Sequence, residues 1–490
     1  MTARPIHVER SGVLLRPNNA RVLYRCFEPP SRERAMRIVA RVMALSDPEI
    51  EVILGGVLSE FHGRHQRLQQ FFLERYEAVR HHLLTDRPLA ESRRQVIGAY
   101  FTQEYALESA ALFNPSIVWH PDQSGVPGGS RRFILSLRAV GEGHISSVGF
   151  RSGMVNAEGA VVIDPPTGFV TAPAVVANAR YEKDLFLRKL AELGVIDHLV
   201  DVVFGGLDDR FTLGDLSAAV ARTGRRHRGR RGDWEPAERA IMALARANYE
   251  IECDPASDIS ERVIFPYSPA ETNGIEDARF VRFIDDDGGA SYCATFTAFD
   301  GSVVLPQFVE TDDFVRFRVS TLNGAEISGK GMALFPRKIG GAYLMLSRQD
   351  GENIYLMQSD MLHFWDSKQL LLKPAEPWEL VQIGNCGSPL ETAAGWLVLT
   401  HGVGPVRKYS IGAVLLDRDD PARVIGRLRE PLLTPTENEW AGYVPNVVYT
   451  CGAVIHAGRL VIPYSMSDYV TSFATVDLAG LLEALTAGSR

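Results

Sequence analysis

The stretch AYLMLSRQDGENIYLMQS, residues 342–359, decides the fold. An apolar strand ends at Ser347 and Arg348, Asp350 and Gly351 supply a turn, and a second apolar strand returns, which is the pattern of an antiparallel hairpin. Four other segments follow the same plan: FILSLRAVGEGHISSVGF (133–150), YCATFTAFDGSVVLPQF (292–308), GWLVLTHGVGPVRKYSIGAVLL (395–416) and RLVIPYSMSDYVTSFATVDL (459–478). With Arg138, Thr297, Arg348, His401 and Tyr464 as equivalent points, the steps between them are 159, 51, 53 and 63 residues.

A repeat of about 50 residues built from antiparallel strands predicts a β-propeller, because each such unit can bury its faces only against its neighbours. Five units predict five blades. The expected fold is therefore mainly β: a five-bladed propeller over residues 108–490, preceded by a helical region over 1–107. The long first step holds one blade and an excess of roughly 100 residues, and its texture is helical. YEKDLFLRKLAELG and PAERAIMALARANYE place a helical insertion at about 172–249, within or between the first two blades. Near the N-terminus, Ser31 opens one helix and Asp47-Pro48 caps another, while Leu68, Phe72, Tyr76, Val79 and Leu83 recur at helical spacing.

Composition narrows the function classes. A net charge of −8 argues against a nucleic-acid partner, whose phosphates call for excess positive charge. The five cysteines are isolated and odd in number, so neither a disulfide framework nor a metal site is expected, and a reducing cytoplasm fits. The opening MTARPIHVERSGVLLRP has no apolar signal core, and no run is long enough to insert in a membrane, so a soluble chain is expected. His62 and His65 lack the spacing of a zinc protease and read as surface residues. The basic run RTGRRHRGRRGD (222–233) reads either as a solvated loop or as a contact for an anionic partner.

The repeat brings Arg138, Thr297, Arg348, His401 and Tyr464 toward one axis, where five polar side chains in phase make a polar pocket. NGIEDAR, residues 273–279, lies one blade length before the Arg348 segment and reaches the same rim. Its acids Glu276 and Asp277 are adjacent, and in an extended strand adjacent side chains face opposite ways, so only one serves the pocket. Asp277 is the one assigned, as a carboxylic acid kept partly protonated among apolar neighbours, which is what acid-catalysed glycoside cleavage needs. The alternative is that it caps a turn or pairs with Arg279. Glu276 is left to bind a sugar hydroxyl or to form a salt bridge.

Several motifs in one order, NPSIV (114–118), NGIEDAR, TFTAFDG (295–301), GMALFPRKIGGAYLMLSR (331–348), IGNCGSPLETAAGWLVLTHGV (383–403), IGAVLLDRDDP (411–421) and GYVPNVVYTCGAV (442–454), resemble glycoside hydrolase family 130. That family contains β-mannoside phosphorylases and related β-mannosidases. The resemblance implies the five-bladed propeller and inverting cleavage of a β-mannoside, with Asp277 as proton donor acting through a mannosyl hydroxyl. It implies no cofactor other than inorganic phosphate as co-substrate. Lys330, Arg348 and His401 would hold the phosphate, and Gln382 stands where many family phosphorylases have a lysine. Asn114, Arg138, Glu276, Arg279, Thr297, Asp300, Tyr464 and Asp468 would contact the sugar. Position 278 is Ala where the family often has Pro.

The missing cation at 382 favours the hydrolase alternative, in which Asp300, Glu310, Glu391 or Asp468 would be the base that activates water. A non-catalytic sugar-binding propeller is the reading from another class. For the N-terminal helices a lid, a contact in a homo-oligomer and simple cladding all stay open.

Overall fold

The computed structural model describes residues 6–176, 180–195, 198–226, 231–299 and 304–487. The chain is mainly β, and its five repeat segments are each an antiparallel hairpin inside a separate larger sheet. The first sheet is built on Ala111–Trp119, Arg131–Val140 and Ser146–Val155, the second on Ile275–Ile284, Ala290–Phe299, Val304–Thr311 and Arg316–Thr321. Lys330–Leu334, Tyr343–Arg348, Ile354–Ser359 and Lys368–Leu372 form the third. The fourth runs through Gln382–Asn385, Gly395–Val403, Tyr409–Leu416 and Val424–Arg427, the fifth through Val448–Tyr449, Arg459–Met466 and Val470–Asp477.

Apolar clusters join these sheets in order. Phe150 packs with Phe280 between the first and second, Phe308 with Met345 between the second and third, and Phe335 with Trp396 between the third and fourth. Leu399 packs with Ile462 between the fourth and fifth, and Phe473 with Phe133 between the fifth and the first. Each sheet thus buries both faces, which is why its strands read as nearly continuous apolar runs.

Non-local pairing produces the departures from expectation. The N-terminal region is not wholly helical: helices Arg32–Met43, Asp47–Phe61, Leu68–Val79 and Glu91–Tyr100 are flanked by the paired strands Val22–Cys26 and Thr102–Ala106. Val8–Arg10 pairs with Val470–Asp477, so the start of the chain completes the fifth sheet. The second helix is capped by Ser46, one residue before the expected Asp47, in a capping box with Glu49. His65 is buried, stacked on Tyr24 at 3.5 Å and bonded to Glu104 at 2.7 Å, so it is no surface residue.

The insertion's helices, Lys183–Glu192, His198–Phe204, Leu213–Arg226 and Arg231–Arg246, leave and rejoin through the outer edge of the second sheet, where Ala174–Val175 pairs with Tyr249–Glu252. Of the basic run, Arg222 to Arg226 end a helix, and residues 227–230 lie outside the described residues.

A second repeat appears only in the folded chain. Before the first strand of each sheet stands a glutamate tied to a distant part of the chain: Glu108 to Arg21 and Arg151, Glu271 to Tyr249, Glu326 to Lys368, Glu379 to Arg427, and Glu439 to Arg10 and Tyr464. In the last three the partners include the sheet's edge strand, and Tyr249 stands one strand in from the edge of the second sheet, so these carboxylates link the beginning of an inner strand to the outer part of its own sheet.

Candidate active site

The first strands of the first three sheets share an irregularity. Register slips between Phe113 and Ser116, between Glu276 and Arg279, and between Lys330 and Ala333. At each bulge one residue takes a left-handed backbone: Asn114 (φ 48°), Asp277 (φ 54°) and Gly331 (φ 87°). Bulges re-aim side chains, and Asn and Asp tolerate this conformation better than most residues. The strict alternation expected for Glu276 and Asp277 therefore fails, and both acids turn toward the same cations.

Arg138 Nη2 donates to Glu276 Oε1 at 2.8 Å, and its Nη1 lies 3.8 Å from Asp277 Oδ1. Lys330 Nζ donates to the other Glu276 oxygen at 2.5 Å. Glu276 is thus a salt-bridge residue that orders Arg138 and Lys330. Asn114 Nδ2 donates to Asp277 Oδ1 at 2.6 Å, while Ser465 Oγ donates to Asn114 Oδ1 at 3.2 Å, so three sheets converge on this carboxylate. Arg279 is buried beneath it. Its Nε donates to Cys386 O at 3.0 Å, its Nη2 to Tyr449 Oη at 2.6 Å and its Nη1 to the Asp277 carbonyl at 2.9 Å.

Asp277 does not sit among apolar neighbours as expected. Burial alone would raise its pKa, but Arg279, Arg138, the Asn114 hydrogen bond and Lys330 outweigh burial and hold the carboxyl below its ordinary range. The other carboxyl in this group behaves oppositely. Asp468 lies in a turn where Ser467 (φ 50°) and Asp468 (φ 48°) are both left-handed. Burial, then the Asp277 charge, push it up to about 7 against the pull of Arg138.

On the other side, Arg348 Nη1 donates to His401 Nε2 at 2.8 Å. Burial first, then Arg348 and Arg279, hold the His401 pKa well below its ordinary value, so the imidazole is neutral and its Nε2 accepts. Both side chains lie over Gly384: a Cβ there would meet His401 Cε1 at 2.4 Å and Arg348 Nη1 at 3.0 Å. Gln382, two residues earlier on that strand, shares its face. Asn385 donates to Gly331 O at 2.7 Å, and its own Oδ1 accepts no hydrogen bond. Among the described residues, no carboxylate forms an ion pair with Arg348, which leaves its charge available to an anion.

The remaining expected residues separate. Thr297 is buried opposite Glu276 in strand register. Tyr464 is no pocket residue: it is 1% exposed and donates to Glu439 Oε1 at 2.7 Å inside the core between sheets. The residue of that strand that joins the cluster is Ser465, and a one-residue difference of phase exchanges the two faces. Glu310 lies on the third strand of its sheet beside Arg318 and His363, and Glu391 is held by Arg337 and Arg418 at the end of its sheet remote from His401, so neither is a base for this site. Asp300 lies outside the described residues. Ser465, Asn385 and Tyr449 were missed. Asn385, inside IGNCG, and Tyr449, inside GYVPNVVYTCGAV, stood in quoted motifs, and Ser465 stood in the fifth repeat segment beside Tyr464.

A family model described as β-1,4-mannooligosaccharide phosphorylase matches residues 242–487. A 1,2-β-oligomannan phosphorylase of Thermoanaerobacter sp. (strain X514) is 30% identical over 48% of this chain and 79% of its own length. A β-1,2-mannobiose phosphorylase of Listeria innocua serovar 6a is 32% identical over 44% of this chain and 60% of its own. The solved structure of a β-1,2-mannobiose phosphorylase from Listeria innocua with β-1,2-mannobiose covers 78% of this chain and 93% of that one, at 21% identity and a TM-score of 0.46.

Proposed function

The chain belongs to glycoside hydrolase family 130, and from that premise we propose that it cleaves a β-mannoside by phosphorolysis with inversion, releasing α-mannose 1-phosphate. The observation that carries the reading is an oriented carboxyl, Asp277, and an arginine without a carboxylate partner among the described residues, Arg348, linked through the buried Arg279, whose charge acts on both Asp277 and the His401 that Arg348 contacts. The five sheets, packed in sequence with the fifth against the first, are read as five blades of a propeller with this cluster at its axis. The helices between residues 32 and 100 and those of the insertion lie outside that ring.

Phosphate is already anionic, so the protein needs cations to hold it rather than a carboxylate base. Arg348 and Lys330 supply charge. Arg348 can turn from His401 Nε2 to an incoming oxyanion, with Gln382 on the same face. A phosphate oxygen then bonds to the anomeric carbon opposite the departing oxygen. That C–O bond breaks, and the leaving oxygen takes the proton from Asp277, directly or through a mannosyl hydroxyl. Asn114, Arg138 and Arg279 stabilise the carboxylate that remains.

Before reaction Asp277 must hold a proton, although its neighbours depress its pKa in the free protein. Bound phosphate offsets the charges of Arg348 and Lys330, and the sugar excludes water; both changes raise the Asp277 pKa. Hydrolysis is the second reading, favoured by Asp468, a carboxyl near neutrality beside Asp277 that would act as base toward water. Early-time NMR of the products tests the pair of readings. The α-anomer of a sugar phosphate supports phosphorolysis, whereas α-mannose that disappears in Asp468→Asn supports hydrolysis.

A further inference from the structure

A cavity of about 510 Å³ opens between helix Lys183–Glu192 and the outer strands of the second sheet, Tyr249–Glu252 and Arg316–Thr321. None of the residues gathered around Asp277 lines it. Its volume falls in the range of small-molecule sites, about 300–1,000 Å³.

Two acceptors on its lining are buried and receive no hydrogen bond from the described residues, Asn323 Oδ1 and Glu310 Oε2. Asn323 is 3% exposed, and its Nδ2 donates to His363 O at 3.0 Å, which orients the amide and leaves Oδ1 unmet. Glu310 Oε2 has His363 Nε2 at 3.6 Å and Arg318 Nη1 at 3.9 Å, beyond hydrogen-bonding distance. Buried acceptors left unmet in this way point to a ligand that donates.

Charge and shape narrow its class. Arg210 is paired with Glu182 at 2.7 Å, and Arg318 lies 3.4 Å from Glu250. Burial, as the leading cause, lowers the His363 pKa and favours the neutral ring. Lys189 is paired with Glu192 at 3.0 Å, so among the described residues three of the four lysines and arginines on the lining, all but Arg180, have a carboxylate partner, which favours a ligand without net charge, and Leu185 and Val176 add apolar wall. Hydroxyl donors on a ring with an apolar C–H face meet both demands.

We propose that this cleft is a second saccharide site, in which hydroxyls of a neutral β-linked oligosaccharide donate to Asn323 Oδ1 and Glu310 Oε2 while a ring face lies on Leu185 and Val176. The choice of sugar rests on the function proposed above; the site itself does not. It would give the helical insertion a role, that of gripping a carbohydrate chain away from the bond being cleaved.

The test uses the full chain carrying Asp277→Asn, titrated calorimetrically with β-1,2- and β-1,4-linked mannotetraose. One binding event is expected to vanish on adding Leu185→Trp, which fills the cleft, and to weaken at least about tenfold on adding Glu310→Gln, an isosteric change that converts an acceptor to a donor. With Asp277 restored, both cleft variants are expected to cleave a disaccharide at the parent rate. If neither change alters any binding event, or if no binding is seen, the inference is overturned. Cleft binding without phosphate-dependent cleavage would instead overturn the reading of phosphorolysis and leave this site standing.

Discussion

Gly384→Ala probes the anion site through the close approach that only glycine permits. The backbone there is an ordinary strand, so alanine is not conformationally excluded. The new methyl would sit 2.4 Å from His401 Cε1, 2.8 Å from His401 Nε2 and 3.0 Å from Arg348 Nη1, all at side-chain ends rather than backbone. The pair must move by several tenths of an ångström while the sheet persists. A charge-assisted contact from arginine to an oxyanion is worth about 1.5–3 kcal/mol, so losing it raises the KM for phosphate about 10- to 150-fold. The mannoside contacts at Asn114 and Asp277 belong to other sheets, and the KM for mannoside is expected to change less than about threefold. Initial rates across a grid of phosphate and mannoside concentrations separate the two constants, with a thermal melt as the check on folding. A folded variant whose phosphate KM is unchanged, or whose two KM values rise together, refutes the placement of phosphate at Arg348 and His401.

Other consequences follow from the same geometry. Asp277→Asn keeps an acceptor for Asn114 but has no proton to give, so turnover is expected to fall about 10²- to 10⁴-fold with the fold retained, read from steady-state rates beside circular dichroism. Tyr464→Phe removes one of the two donors to Glu439 Oε1, leaving Arg10, and is expected to cost about 1–3 kcal/mol in denaturant unfolding while leaving turnover unchanged; a specific loss of rate would restore Tyr464 to the site. His401 has a folded pKa below its unfolded value, so its contribution to stability is full above about pH 6.5 and is lost as pH falls from there, by up to about 1.4 kcal/mol per pH unit. Melting temperatures between pH 7.5 and 5 should fall less steeply in His401→Gln, and parallel slopes would show that the imidazole is not buried neutral.

What the sequence disclosed is what repeats locally. The five hairpins are written in short apolar runs about polar turns, and their spacing brought Arg348 and His401, 53 residues apart, into a pair that the structure joins at 2.8 Å. Asp277 was legible as a candidate acid, but not its surroundings, because a bulge cancels the alternation by which strand faces are assigned. Tyr464 failed for the related reason that a phase error of one residue inverts a strand, and the aromatic was chosen over the serine beside it. The paired glutamates, and the N-terminal strand that completes the fifth sheet, depend on partners far along the chain. Glu439 with Arg10 spans 429 residues, and no local pattern carries such a pairing.

The central claim is that this cluster uses phosphate as its nucleophile. Incubation with β-1,2- and β-1,4-linked manno-oligosaccharides, with and without inorganic phosphate, tests it most directly. The expected result is α-mannose 1-phosphate when phosphate is present and no cleavage when it is withheld. Free mannose released at the same rate in both conditions would contradict it.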